Sequence, residues 1–200
     1  MTESIKKPGR PKGSGTNGRR RYLTDGELSA FFKSAKTANK KIHLVFTLIY
    51  IYALRVGELV NIRMDDVNVP SKQITIRAEK GGKIRTYDIT DDVWKVMKPW
   101  LKERKDGPWL FQAQADSAKP TSRISVQLGF YRIAKKAGIT KHSVHDLRHS
   151  CASQLAAKGF NVVQVSNWLR HKSISSSLIY MEDIDNKKSE AAAGEILRIK

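Results

Sequence analysis

The chain has 200 residues, 37 lysines and arginines against 19 acidic residues, a formal net charge of +18 and one cysteine. That length suits a single ordinary domain with a real core, and the charge points to a polyanionic partner, nucleic acid ahead of an anionic membrane surface. The lone Cys151 excludes an internal disulfide, and the longest apolar run, "LVFTLIYIYAL" at 44–54, is too short to span a bilayer.

Residues 1–21 hold Pro8, Pro11, four glycines and, between Ser4 and Arg21, seven cations and no acidic residue. Such a composition builds no core and reads as a flexible basic arm. Within it, "KPGRPKGS" is similar to an AT-hook, whose Arg-Pro lies in an A·T-rich minor groove; a plain basic arm is the other reading. No apolar stretch follows the N-terminal charges, so no secretory signal is expected, and the cytoplasm is the expected location.

The globular part opens at "TDGE", where Thr24 and Glu27 form a capping box ahead of a helix carrying Leu28, Phe31 and Phe32. A second, buried helix is predicted through Leu54. At 73–89, "QITIRAEKGGKIRTYDI", the period changes to two: Ile74 and Ile76 alternate with polar residues, Gly81-Gly82 supply a turn, and the chain returns with Ile84 and Ile89. That spacing predicts a β-hairpin with lysines at its tip.

Helical spacing resumes at "TDDVWKVMKPWLKER", again between a Ser122 cap and a Gly138 stop, and again over 143–158, ended by Gly159. "NVVQVSNWLR" reads as a short helix capped by Asn161. At the C-terminus, Ser189 caps a helix with Ala192, Ala193, Ile196 and Leu197 on one face. It is too short to be stable alone and must dock on its own domain or a neighbour. No internal repeat is evident. The expected fold class is α+β, mostly α, with one small antiparallel sheet near the middle.

Between 143 and 180 stand the residues best suited to chemistry. His145 and Arg148 share a helix face, while Leu147, Cys151 and Leu155 form the stripe that packs inward, so the pair is expected to point out of the body together. Alone, His-x-x-Arg is common on structural and solvated faces. His149 reads as a packed or hydrogen-bonding histidine, and His171 lies nine residues before Tyr180.

"HDLRHS" followed by "WLRHKSISSSLIY" resembles the His-x-x-Arg box and the Leu-Gly-His to Tyr box of the tyrosine recombinases, also called phage integrases. "YALRVGELVNIRMDDV" at 52–67 is similar to the family's first arginine box, with Arg55 in the catalytic place and Glu58 one helical turn on, able to brace the guanidinium. The hairpin tip "EKGGK" resembles the turn that carries the catalytic lysine, by position Lys80, with Lys83 as a substitute. The resemblance covers about residues 22–182 and implies a catalytic domain of the tyrosine recombinase fold. Residues 1–21 are then the arm, and 183–200 a linker and short helix.

Three departures stand out: Arg170 replaces the usual glycine before the histidine, "YALR" replaces Thr-Gly-Leu-Arg, and Ser177 replaces a frequent threonine. The first is the largest, an extra cation expected either to bind another phosphate or to perturb the turn. Most relatives also carry a helical DNA-binding domain ahead of the catalytic one, which 21 residues cannot build; short fimbrial phase-variation recombinases are similar in this.

The resemblance implies a site-specific recombinase that cleaves and rejoins double-stranded DNA. In that scheme Tyr180 attacks phosphorus, His145 takes its proton, Arg55 and Arg148 hold the non-bridging oxygens, His171 adds a donor and Lys80 protonates the 5′ oxygen. It implies no cofactor and no metal, in line with the absence of Cys/His or carboxylate clusters at ligand spacing. The implied assembly is a homotetramer on two aligned sites, with accessory DNA-bending proteins as further partners and no membrane. Type IB topoisomerases and a non-recombining DNA-binding regulator are the alternatives, separated by strand exchange between two sites and by a covalent adduct, respectively.

Overall fold

The computed structural model describes residues 21–79, 83–171 and 173–178. Most of the basic arm, the hairpin tip with Lys80, and Tyr180 with the C-terminal segment lie outside the described residues.

Helix α1 (Asp25–Lys36) starts at the predicted capping box: the Thr24 hydroxyl accepts from the Glu27 amide, and the Glu27 carboxylate accepts from the Thr24 amide at 2.7 Å. Its buried face, Leu28, Phe31 and Ala35, meets α2 (Lys40–Ile51) and α5 (Arg123–Lys136). There the Phe31 ring packs 5.2 Å from Phe46 and 5.0 Å from Phe130. Helix α2 also packs against α4 (Asp91–Glu103) and α6 (Val144–Ala157), and so buries Leu44, Val45, Phe46, Leu48 and Ile49. Enclosure on several sides explains its nearly unbroken apolar run. The helix stops at Ile51 rather than Leu54, because Ala53 turns into the left-handed region at φ 48°.

The short helix α3 (Val56–Val60) and a 3₁₀ turn (Met64–Asp66) lead into a three-stranded antiparallel sheet of β1 (Val67–Asn68), β2 (Gln73–Arg77) and β3 (Ile84–Asp88), in that order. Strands β2 and β3 form the predicted hairpin, with Ile74 opposite Tyr87 and Ile76 opposite Arg85. The inward face is Ile74, Ile76 and Tyr87, whereas Ile84 is 62% exposed. Helix α7 (Val162–Trp168) packs on α6 over a small separate core of Ala53, Cys151, Ala152, Ala156, Val165 and Leu169. Among the described residues no helix is long and apolar enough to cross a membrane.

Candidate active site

Four helices end the same way. After α5 and α6, Gly138 and Gly159 take φ of 73° and 90°, and the next amides, Ile139 and Phe160, reach back to the carbonyls of Ala134 and Leu155. This motif suits glycine, which has no Cβ to clash. Helices α2 and α7 close with the same pattern, Leu54 reaching the Ile49 carbonyl and His171 reaching that of Ser166. Their left-handed residues, however, are Ala53 (φ 48°) and Arg170 (φ 56°). A side chain there costs about 1–2 kcal/mol, and such strain gathers at functional sites. The two strained turns touch, since Arg170 Nη2 donates to the Ala53 carbonyl at 3.1 Å.

Just after the first of them, Arg55 sits at the N-cap of α3 and Glu58 at its third position. The Arg55 amide donates to Glu58 Oε2 at 2.9 Å, and its Nη1 donates to Oε1 at 2.9 Å. The brace expected from sequence is therefore made. Glu58 is buried, and Oε2 also accepts from Arg170 Nη2 at 2.8 Å while Arg148 Nη1 stands 3.9 Å off. Burial by itself would raise the Glu58 carboxyl; the charge of Arg170, the Arg55 amide and the charge of Arg148 outweigh it and hold the group below its ordinary value.

Arg148 is not a surface residue. Its side chain is 2% exposed against 36% for Arg55, which corrects the expectation that His145 and Arg148 leave the body together. Arg148 Nη1 donates to the Ala53 carbonyl and Nη2 to that of Leu169 at 2.6 Å. Two helix C-termini, each the negative end of a peptide dipole, thus hold this cation. Arg170 is likewise turned inward, which excludes the direct phosphate contact considered from sequence. Nη1 donates to the Tyr52 carbonyl at 2.9 Å, the Trp168 carbonyl at 3.2 Å and the Tyr87 hydroxyl.

His145 lies in the first turn of α6, fixed by the Ser143 amide donating to Asp146 Oδ2 at 2.8 Å. Its ring opens to solvent on one side, but the protein around it and the charges of Arg148 and Arg55 hold it below the usual histidine value. His149 packs edge-on to it, 4.7 Å between ring centroids, and burial followed by repulsion from His145 lowers it to about 4. His171 falls to about 4 through burial, then the charges of Arg148, Arg55 and Arg170. All three imidazoles are thus held below the usual histidine value. His171 Nδ1 pairs with the buried Ser177 hydroxyl at 2.8 Å; when the hydroxyl donates, Nε2 carries the ring hydrogen.

The hairpin is bound to the end of α7. Tyr87 donates to the Trp168 carbonyl at 3.0 Å, and Arg85 donates to the Asn167 carbonyl at 2.9 Å while lying over the Tyr87 and Trp168 rings. At the turn end of the hairpin Glu79 pairs with Arg123 directly against Gly57, where a Cβ would collide with the Glu79 carboxylate. Lys83 is exposed just before β3. Sequence reasoning singled out Ser177 only as a departure and passed over Tyr87; neither belongs to a spacing that signals a site.

Arg55 and Arg148 thereby meet at one buried carboxylate with His145 and His171 beside the arginines, two cations and two imidazoles suited to a phosphodiester. A model of the phage integrase family matches residues 21–187. The chain belongs to the phage integrase family. Among its relatives, tyrosine recombinase XerA of Pyrococcus furiosus is 31% identical over 160 residues, covering 79% of this chain and 56% of that protein. The type 1 fimbriae regulatory protein FimE of Escherichia coli K12 is 27% identical over 172 residues, covering 81% and 85%. The site-specific recombinase XerH, in a post-cleavage complex with palindromic difH DNA, superposes with a TM-score of 0.74 at 25% identity, covering 90% of this chain and 55% of that one. The chain spans little more than half the length of XerA, and its mostly helical fold with one small sheet is that of phage integrase catalytic domains.

Proposed function

We propose that the protein is a site-specific DNA recombinase that cleaves and rejoins strands through a 3′-phosphotyrosyl intermediate. The observation that carries this reading is the convergence of Arg55 and Arg148 on Glu58 beside neutral His145 and His171. Fork-shaped guanidinium donors match the equatorial oxygens of a five-coordinate phosphorus better than a point charge does. Tyr180 attacks phosphorus; its Oη–P bond forms as the P–O5′ bond breaks. The phenol's ordinary pKa near 10 requires a base, and His145, held neutral, takes that proton. His171 donates to a non-bridging oxygen, and Lys80 delivers a proton to the leaving 5′ oxygen. The bond energy stays in the phosphotyrosine, so the free 5′ hydroxyl of another strand reverses the step.

Exchange between two aligned sites calls for a tetramer, with accessory DNA-bending proteins where the sites need shaping, and the C-terminal helix around Ile196 and Leu197 docks on a neighbouring subunit. Head-to-tail contacts of this kind close into a ring. The test is a two-site assay in EDTA on DNA cloned from around the protein's own gene, with joints read by sequencing. Recombinant joints from the full chain, and single-site binding without joints after truncation at Lys188, are the expected outcomes. Relaxation of supercoils without any exchanged joint would instead mark a topoisomerase.

A further inference from the structure

Arg170 occupies a left-handed turn that penalises any side chain, is 2% exposed, and directs its guanidinium away from the phosphate face. Its Nη1 is shared among the Tyr52 and Trp168 carbonyls and the Tyr87 hydroxyl, while Nη2 spans the Ala53 carbonyl and Glu58 Oε2. Those last two acceptors are also the ones the site arginines use. Ala53 O receives Arg148 Nη1, and Glu58 receives the backbone and side chain of Arg55. Arg170 therefore stands one step behind both arginines and touches what holds each of them.

We propose that Arg170 is a positioning residue: by fixing Glu58 and the Ala53 carbonyl from behind, it sets Arg55 and Arg148 against the scissile phosphate. The inference rests on the functional reading above. Three guanidinium groups face one buried carboxylate. With Arg170 and the Arg55 amide occupying Oε2, Arg148 stays 3.9 Å from it, at the long end of an ion pair. Remove Arg170 and Glu58 is left to compete with the phosphate for Arg148. The same side chain meets Tyr87 and the Trp168 carbonyl, so the arginine pair is registered to the hairpin and to the turn that carries His171. A lysine supplies the charge but cannot reach these acceptors together, because it is a single donor centre rather than a fork.

The experiment compares wild type, Arg170→Gly and Arg170→Lys. Glycine suits the turn and removes only the side chain. Single-turnover cleavage is measured on a nicked duplex with an ordinary scissile phosphate and on one with a neutral methylphosphonate there, at a temperature where melting curves show each variant folded. A misplaced arginine pair matters less when the oxygens carry no charge. Arg170→Gly should bind DNA about as well as wild type and cleave the phosphate at least about tenfold more slowly, with a smaller defect on the methylphosphonate. Millimolar guanidinium should recover part of the rate, and Arg170→Lys little of it. Equal slowing on both substrates, full activity of Arg170→Lys, or no slowing at all would overturn the proposal. The guanidinium NMR signals of Arg148 decide independently of cleavage. Held between two carbonyls, they should be resolved in wild type and averaged by rotation in Arg170→Gly; identical spectra reject the positioning role. If wild type itself forms no adduct, the functional reading fails while these spectra still judge Arg170.

Discussion

At the scale of single residues, the site is a set of groups whose protonation is set for the absence of substrate. His149 and His171 are held at about 4, below the ordinary value of 6.5. The folded, DNA-free protein therefore binds fewer protons than the unfolded chain between those two values, and its stability falls as pH drops through that window. In the proposed DNA complex, a phosphate supplies the negative charge that stabilises the imidazolium. It raises His171 again, so binding takes up protons and affinity rises as pH falls from about 6.5 towards 4. Calorimetry in buffers of different ionisation heat should detect this uptake, and His171→Gln should reduce it. Binding with no proton linkage would contradict the electrostatic account of the site. Cys151 takes no part in this chemistry: burial pushes its thiol up to about 12.

Between elements, position is set by helix ends and by the turn end of the hairpin. Gly57 lets the Glu79–Arg123 pair lie against α3, and Glu79 directly precedes Lys80 in sequence. Alanine is favoured over glycine by about 1 kcal/mol inside a helix, so Gly57→Ala should leave the melting temperature unchanged or higher. The displaced carboxylate should shift the chain at Glu79 and slow cleavage about tenfold or more, since small misplacements of a catalytic group are costly. A Gly57→Ala protein that cleaves at the wild-type rate would show that the Glu79 contact does not govern the site.

The same elements show what was legible in the sequence. The Thr24–Glu27 box, the Ser122, Asn161, Gly138 and Gly159 signals and the Ile74/Ile76 alternation each have a local cause, and each stands where it was read. Three features depend on tertiary packing instead. Helix α2 ends early because Ala53 takes a conformation its own side chain disfavours, stabilised by hydrogen bonds to its carbonyl from residues 148 and 170. Arg148 is buried although its spacing put it beside His145, because two distant helix termini supply acceptors for it. Arg170 reads as a surplus cation, and nothing local announces that Glu58 awaits it.

Over the whole molecule, the proposed activity assigns finding DNA to charge and cutting it to the site. Residues 1–18 contribute Lys6, Lys7, Arg10 and Lys12 with no compensating acid after Glu3. Deleting them should weaken duplex binding and reduce the slope of log affinity against log salt by up to about three to four, at roughly 0.9 for each phosphate the arm no longer neutralises. An unchanged slope would remove the arm from DNA binding, whereas a loss confined to A·T-rich flanks would mark an AT-hook.

The proposed mechanism has the arginines that meet at Glu58 and the histidines beside them serve one nucleophile, Tyr180. It is tested most directly by trapping the protein in EDTA on randomly nicked DNA from its own locus, where cleavage near a nick releases a short strand and leaves the enzyme attached. The expected result is a covalent adduct at the 3′ phosphate end of the broken strand, mapped by peptide sequencing to Tyr180 and abolished in Tyr180→Phe with DNA binding retained. An adduct that persists in Tyr180→Phe, or maps to another residue, would contradict it.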